Sequence, residues 1–204
     1  MVKKAEIPAY IVDRALALAA ERGWRRTSLR EIAGAAGVSL IDLRRHYRSK
    51  GAILEAFFDR VDHDMLAAVE PELESEPARD RLFDLIMRRF DAMKAHKEGV
   101  RAILRDCACD PCLGLWASCR LRRSLSWILE AAGLDSSGLR GLVRIKGLGL
   151  VYLPALRVWL NDDSEDMART MADLDRRLGR LDDLVAMLCG RGAPRTAEEG
   201  SESA

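Results

Sequence analysis

Residues 27–50, TSLREIAGAAGVSLIDLRRHYRSK, constrain the fold of this chain more than any other stretch. Two short helical patterns flank a tight Ala36-Gly37-Val38 turn. Ser28 followed three residues later by Glu31 has the form of a capping box, in which each side chain satisfies an orphan amide of the first turn. Ser39 followed by Asp42 repeats the device one helix later. Ala33 is small where two helices must cross closely, and Gly37 suits a turn whose backbone has φ > 0. Leu29, Ile32, Val38, Leu43 and Tyr47 supply an apolar side, while Arg25, Arg26, Arg30, Arg44, Arg45, His46, Arg48 and Lys50 crowd the rest. The pattern predicts a helix-turn-helix whose second helix, about Ser39–His46, fits a DNA major groove.

Charge supports a localised nucleic-acid surface. The whole chain is nearly neutral, with 33 basic and 32 acidic residues, so it is not a globally basic binder. Residues 1–60 hold twelve Lys/Arg against seven Asp/Glu, a net of +5 that leaves −4 for the remainder. Within Arg22–Lys50 the count is eight against two, the asymmetry of a surface built to meet phosphates. The candidate DNA-binding residues are Arg26, Thr27, Ser28, Ser39, Leu40, Arg44, Arg45, Tyr47 and Lys50. Thr27 or Ser28 would hold a phosphate at the start of the second helix, and Tyr47 and Lys50 would do so near the start of the fourth. Tyr47 has apolar neighbours that also suit it to the core. Asp42 either caps its helix and complements the dipole, or else repels phosphate or accepts a bond from a cytosine amino group. Leu40 and Ile41 either touch thymine methyl groups or are exposed apolar residues without that role.

From about Ile7 to Val61 the chain resembles the TetR family of bacterial repressors. The likeness rests on Glu21-Arg22-Gly23-Trp24, on Thr27-Ser28-Leu29-Arg30-Glu31-Ile32-Ala33, on Ala35-Ala36-Gly37-Val38-Ser39 and on His46-Tyr47-Arg48-Ser49-Lys50 leading into a long helix. The resemblance implies a dimeric, ligand-responsive regulator of palindromic double-stranded operator DNA. Many members begin the recognition helix Ser-Lys-Gly-Thr-Leu-Tyr, whereas this chain reads Ser39-Leu40-Ile41-Asp42-Leu43-Arg44. Arg44 thus replaces the usual phosphate-binding Tyr and can still reach a phosphate as a charged donor.

The fold class is all-α, with about nine helices. They are expected near 7–22, 28–35, 39–46, 50–69, 78–95, 98–107, 111–132, 138–160 and 164–189. The spacing predicts a helix-turn-helix domain over 1–48, a helical regulatory and dimerisation domain over 49–190, and a disordered tail over 191–204. Pro71 and Pro77 bracket an acidic link, Glu70–Glu76, that ends the fourth helix. The N-terminus lacks a hydrophobic signal core, and Gly147–Leu160 is too short to span a bilayer, so a cytoplasmic location without stable membrane insertion is expected.

No catalytic constellation surrounds His46, His63 or His96, and no cofactor motif is present. The expectation is a protein that is not an enzyme. Cys107, Cys109, Cys112 and Cys119 fall within thirteen residues but match no four-ligand zinc spacing. A metal or redox role and plain packing both stay open for them, while Cys189 is expected to pack.

Phe83, Met87, Phe90, Leu104, Trp116, Leu121, Trp127, Tyr152 and Leu156 are the candidate lining of a pocket for a hydrophobic ligand, acyl or aromatic. In the last helix Met167, Met171, Leu174, Leu178, Leu181, Val185 and Leu188 form an unbroken heptad seam. That seam packs internally, against a partner, or both. Leu174, Leu178, Leu181 and Val185 are the candidate homodimer contacts, in line with TetR relatives, which dimerise through their last two helices. Trp159-Leu160-Asn161-Asp162-Asp163-Ser164-Glu165-Asp166, with Thr170 and Leu174, resembles the TetR-like lipid-binding proteins of ubiquinone biosynthesis. That likeness implies an alternative: a lipid- or quinone-binding accessory protein that kept the fold but not operator binding.

Overall fold

The computed structural model describes residues 6–67 and 75–188. Among them are nine α-helices and no strand: α1 (Ile7–Arg22), α2 (Leu29–Ala35), α3 (Leu40–His46), α4 (Lys50–Ala67), α5 (Ala78–Met93), α6 (Lys97–Cys107), α7 (Pro111–Ala131), α8 (Gly138–Leu160) and α9 (Ala168–Leu188). A 3-10 turn, Lys94–His96, joins α5 to α6. The all-α expectation holds. Most of the acidic link around Pro71, Cys189 and the expected tail lie outside the described residues.

The N-terminal helices follow from their sequences. α1 carries Pro8 in its first turn, where a missing amide costs nothing, and buries Ile11, Val12, Ala15, Leu16 and Ala19 at helical spacing. α2 and α3 have seven residues each, too few to be stable alone. Caps and burial hold them, with Ile32, Ala33 and Leu43 joining Trp24 and the α1 face in the core. Gly37, at φ 65°, turns the chain between them.

α4 leaves the helix-turn-helix and packs on α1, α5 and α7, while α8 and α9 lie side by side over α5 and α7. α9 begins at Ala168, four residues later than the sequence suggests. The acidic residues expected in its first turn instead form its capping loop. Ser164 Oγ and Asp166 Oδ1 accept from the Ala168 amide at 3.2 Å, and Asp162 Oδ2 accepts from the Thr170 amide at 2.8 Å.

α6 connects the N-terminal helices to the C-terminal ones. It docks along α1 and also contacts α7. Its approach to α1 depends on Gly99, where an added Cβ would stand 2.8 Å from the Leu16 carbonyl oxygen and 3.2 Å from Leu16 Cβ. A backbone oxygen cannot swing aside as a side chain does. At Gly147, by contrast, a Cβ would meet only Leu181 Cδ1, at an ordinary 3.6 Å. Gly99→Ala is therefore expected to destabilise the protein by about 1–3 kcal/mol through overpacking. Gly147→Ala should be neutral or stabilising by up to about 1 kcal/mol, because Ala is the better helix former. Urea unfolding midpoints of the two variants check both.

Candidate nucleic-acid interface and ligand cavity

Both capping devices form. The Ser28 amide donates to Glu31 Oε2 at 2.8 Å and the Glu31 amide to Ser28 Oγ at 3.2 Å. At α3 the Asp42 amide donates to Ser39 Oγ at 3.1 Å, and the Ser39 hydroxyl donates to Asp42 Oδ2 at 2.6 Å. That hydroxyl bond holds the Asp42 carboxyl below its ordinary range. Arg45 pairs with its other oxygen at 3.0 Å. Asp42 is thus engaged by its own helix, the capping alternative of the two open to it.

The expected DNA-binding residues divide into two groups. Arg26, Ser28, Ser39, Leu40, Arg44 and Arg45 are exposed. Leu40 (48% exposed) and Ile41 (69%) stand on α3 four residues before Arg44 and Arg45, so the four share one side of the helix, away from buried Leu43. Thr27, Tyr47 and Lys50 differ: their polar groups are tied inward, which revises the expectation that they are free for phosphate. Thr27 is only 2% exposed and its hydroxyl donates to the Gly23 carbonyl at 2.9 Å. The Tyr47 hydroxyl donates to the Pro8 carbonyl at 3.0 Å. Lys50 Nζ donates to the Trp24 and Thr27 carbonyls at 2.5 and 2.7 Å and lies 4.6 Å from the Trp24 ring centroid. Burial lowers the Lys50 pKa from its ordinary value. In the α1–α2 loop the Trp24 carbonyl accepts from the Thr27 amide at 3.2 Å, and the lysine at the head of α4 adds a second donor to it and one to the Thr27 carbonyl. Arg30 and Arg48, not among the candidates, are exposed, and their side chains make no hydrogen bond or ion pair among the described residues, as is also true of Arg26 and Arg44. Their signal was the basic run itself.

A cavity of about 330 Å³ opens among α4, α5, α6, α7 and α8. Leu104, Trp116, Leu121, Tyr152 and Leu156 line it, as expected, together with Phe58, Met93, Val100 and Ile103. Four expected residues do not line it. Phe90 is fully buried, stacked on Trp159 at 5.5 Å. Phe83 and Met87 are half-buried elsewhere on α5. Trp127 shares the α7 face of Trp116, but three turns on, about 16 Å along the axis, where it is exposed.

Behind the cavity runs a buried ionic network that the sequence reading missed. Asp62 of α4 accepts from Arg89 of α5 through Oδ1, and through Oδ2 from Arg120 (2.6 Å) and Ser124 (2.9 Å) of α7. Arg89 Nε donates to the Tyr152 hydroxyl of α8 at 3.0 Å. Arg89 and Arg120 also line the cavity. The available signal was periodicity. Arg89 falls in the run Leu82, Leu85, Ile86, Arg89, Phe90 and Met93, and Arg120 precedes Ser124, Leu125 and Ile128 on one α7 face.

α6 has the cavity on one side and the helix-turn-helix on the other. Val100, Ile103, Leu104 and Cys107 reach the cavity. Asp106 Oδ2 accepts from the Arg25 amide at 2.8 Å, fastening the end of α6 to the α1–α2 loop. Cys107, Cys109, Cys112 and Cys119 are free thiols, and the described residues include no group of three or more potential metal ligands. Burial, then the neighbouring Asp106 and Asp110 carboxylates, push the Cys107 thiol up.

Of the expected dimer residues, Leu174 and Leu178 are buried in the chain's own core at 0% and 2% exposure. The heptad seam is internal over its first turns. Leu181 is half-buried and Val185 exposed, beside exposed Leu184 and Met187. Seven residues of spacing identify a face of a helix but not what covers it. On α8, Leu139, Val143, Leu150 and Leu153 are exposed.

The family signature of bacterial regulatory proteins, tetR family, matches residues 11–57, and that of COQ9 matches residues 123–185. No curated protein matches the chain. A TetR transcriptional regulator from Nitrosomonas europaea shares 30% identity and a TM-score of 0.72, over 86% of this chain and 97% of its own. TetR-family regulators from Rhodococcus sp. RHA1 (18% identity, TM-score 0.61, covering 88% and 97%) and Streptomyces coelicolor (22%, 0.61, 92% and 85%) share the fold.

Within the COQ9-like stretch, the segment after Trp159 forms a structural junction. Lys97 donates to the Asp162 carbonyl at 2.6 Å, Lys94 to that of Glu165 at 2.7 Å, and Arg101 to that of Leu160, so α6 and the turn before it cap the end of α8. Burial alone would raise the Asp162 carboxyl, but bonds from Ser164 and Thr170 outweigh it and hold the carboxyl well below the usual range. A depressed carboxyl contributes its stability above the unfolded pKa of about 3.9 and loses it as pH falls toward the folded value. Asp162→Asn should cost about 1–3 kcal/mol at pH 7, the value of charged cap bonds. The gap from wild type should shrink as pH falls below about 4. Urea unfolding at pH 7 and pH 3.5 measures it.

Proposed function

The chain belongs to the TetR family of bacterial regulatory proteins, and on that premise we propose that it is a dimeric, ligand-responsive regulator of palindromic operator DNA. The observation that carries the reading is the set of exposed, unpartnered arginines, Arg26, Arg30, Arg44 and Arg48, around a short helix that offers Leu40 and Ile41. α3 enters the major groove, with Leu40 and Ile41 against thymine methyl groups and Arg44 on a phosphate. Thr27, Tyr47 and Lys50 act behind that surface by holding α1, the α1–α2 loop and the head of α4 in register. Residues 1–48 form the DNA-binding unit and 49–190 the regulatory and dimerisation unit, with α4 packing against both.

Dimerisation follows from what is left uncovered. Leu139, Val143, Leu150 and Leu153 on α8 and Leu184 and Val185 on α9 are exposed. Full burial of a wholly exposed side chain of this kind is worth about 1.5–3 kcal/mol, and each of these gains in proportion to what it still exposes. A two-fold partner seated on this face covers them and presents two recognition helices to one face of the duplex. The cavity supplies the switch. A ligand that repositions α6 moves the element fastened to Leu16 and Arg25, and with it the helix-turn-helix.

A second reading draws on the COQ9 match over residues 123–185 and the apolar cavity. In it the chain binds a lipid or quinone and has lost operator binding. DNA binding separates the two. In a gel shift against the DNA upstream of its own gene, the wild type should bind, and Arg44→Ala should weaken binding and reduce the salt slope by about one. Val143→Asp with Leu150→Asp should sediment as a folded monomer and lose the specific complex. A wild type that binds no tested duplex at low salt would remove the regulator in favour of the second reading.

A further inference from the structure

The cavity lining is largely apolar, and its polar side chains, Arg89, Arg120, Tyr152 and Ser118, have an unusual balance of donors and acceptors. Arg89 and Arg120 both line it, at 2% and 3% exposure, and no aspartate or glutamate does. Between the two guanidinium groups stands one buried carboxylate, Asp62, which is 6% exposed and lies outside the lining. The other carboxylates near Arg120, Asp59 at 3.0 Å and Glu55 at 3.7 Å, also belong to α4, and Glu55 is shared with exposed Arg123. Arg120 Nε is buried without a hydrogen-bond acceptor. Tyr152 accepts from Arg89, and its own hydroxyl hydrogen has no acceptor among the described residues. The cavity wall is therefore rich in donors and positive charge and poor in acceptors. A cation would meet two buried arginines there, and a neutral apolar molecule would leave the donors unanswered.

We propose that the ligand is a small amphipathic carboxylate, an apolar body whose acidic head binds Arg89, Arg120 and Tyr152 in competition with Asp62. The inference rests on the reading of this cavity as the ligand site and adds the ligand's chemical class. The carboxylate group matches the guanidinium fork and takes the Tyr152 hydroxyl hydrogen as a further bond. Phe58, Met93, Leu104, Trp116 and Leu156 hold the body. At about 330 Å³ the cavity is at the small end of ligand sites, which points to a medium-length chain or a single substituted ring. The competition has a consequence for the fold. Asp62 belongs to α4, so an anion that draws the arginines toward itself loosens the attachment of the helix that carries the helix-turn-helix.

The test uses the full chain without DNA and three probes of equal length below their aggregation limits: decanoate, 1-decanol and decylammonium. Calorimetry should find decanoate bound about tenfold or more tightly than decanol, with decylammonium weaker than both. Tyr152→Phe should shrink the decanoate-to-decanol ratio severalfold. Asp62→Asn, which removes the internal competitor, should bind decanoate more tightly than wild type and decanol unchanged, a gain that a poorly folded variant cannot imitate. Equal affinity for decanoate and decanol, preference for decylammonium, or no binding of any probe by wild type overturns the proposal. So does a folded Asp62→Asn that binds decanoate no better than wild type. If Asp62→Asn does not fold, the wild-type series and Tyr152→Phe decide alone. Absence of DNA binding with the decanoate preference intact would remove the regulator and leave this inference standing.

Discussion

The removal of Asp62 from water is the constraint on which the arrangement of the C-terminal helices depends. Burying a carboxylate costs several kcal/mol even after relaxation, and the attraction of one partner rarely offsets it. Asp62 has three: Arg89, Arg120 and Ser124. Satisfying them requires α4, α5 and α7 to approach with one relative geometry, and the Arg89–Tyr152 bond adds α8. Apolar packing alone tolerates sliding, whereas a buried network does not, because any shift leaves a charge unpaired. The position of α4 in the body is therefore set by charge. α4 begins at Lys50, whose ammonium closes the α1–α2 loop, so the same helix carries that geometry to the helix-turn-helix.

The DNA-facing end shows a division of labour among polar residues. Thr27, Tyr47 and Lys50 satisfy main-chain carbonyls of Gly23, Pro8, Trp24 and Thr27. These bonds fix a motif whose second and third helices are too short to stand alone. The side chains of Arg26, Arg30, Arg44 and Arg48 are exposed and engage none of the described residues, the surface that the proposed function gives to DNA. Asp106 provides a second tie, through the Arg25 amide, so the motif is held from both α4 and α6. Both attachments are to elements that border one cavity, the route by which the proposed ligand would act on the helix-turn-helix.

What was legible in the sequence and what was not differ for physical reasons. The helix-turn-helix was legible because its signals are local: Ser28 with Glu31, Ser39 with Asp42 and Gly37 between them act within a few residues. Helix periods were equally plain, and most boundaries fell within two residues. Partners across space were not. Lys50 reads as a phosphate ligand because nothing local shows that its ammonium turns in to the Trp24 and Thr27 carbonyls. Leu174 and Leu178 lie on a faultless heptad seam, yet a seam does not distinguish the chain's own α5 and α8 from those of another subunit. Arg89 and Arg120 carry charges that usually face solvent, and only their places in apolar periods mark them as buried.

In the proposed function, two copies of this chain read one two-fold DNA site. Selection of bound duplexes from a random pool by the full-length protein tests that directly. The selected sequences should converge on an inverted repeat, its half-sites centred one helical turn, about 34–36 Å, or a multiple of that apart. No enrichment over the starting pool, or convergence on a single asymmetric half-site, would contradict it.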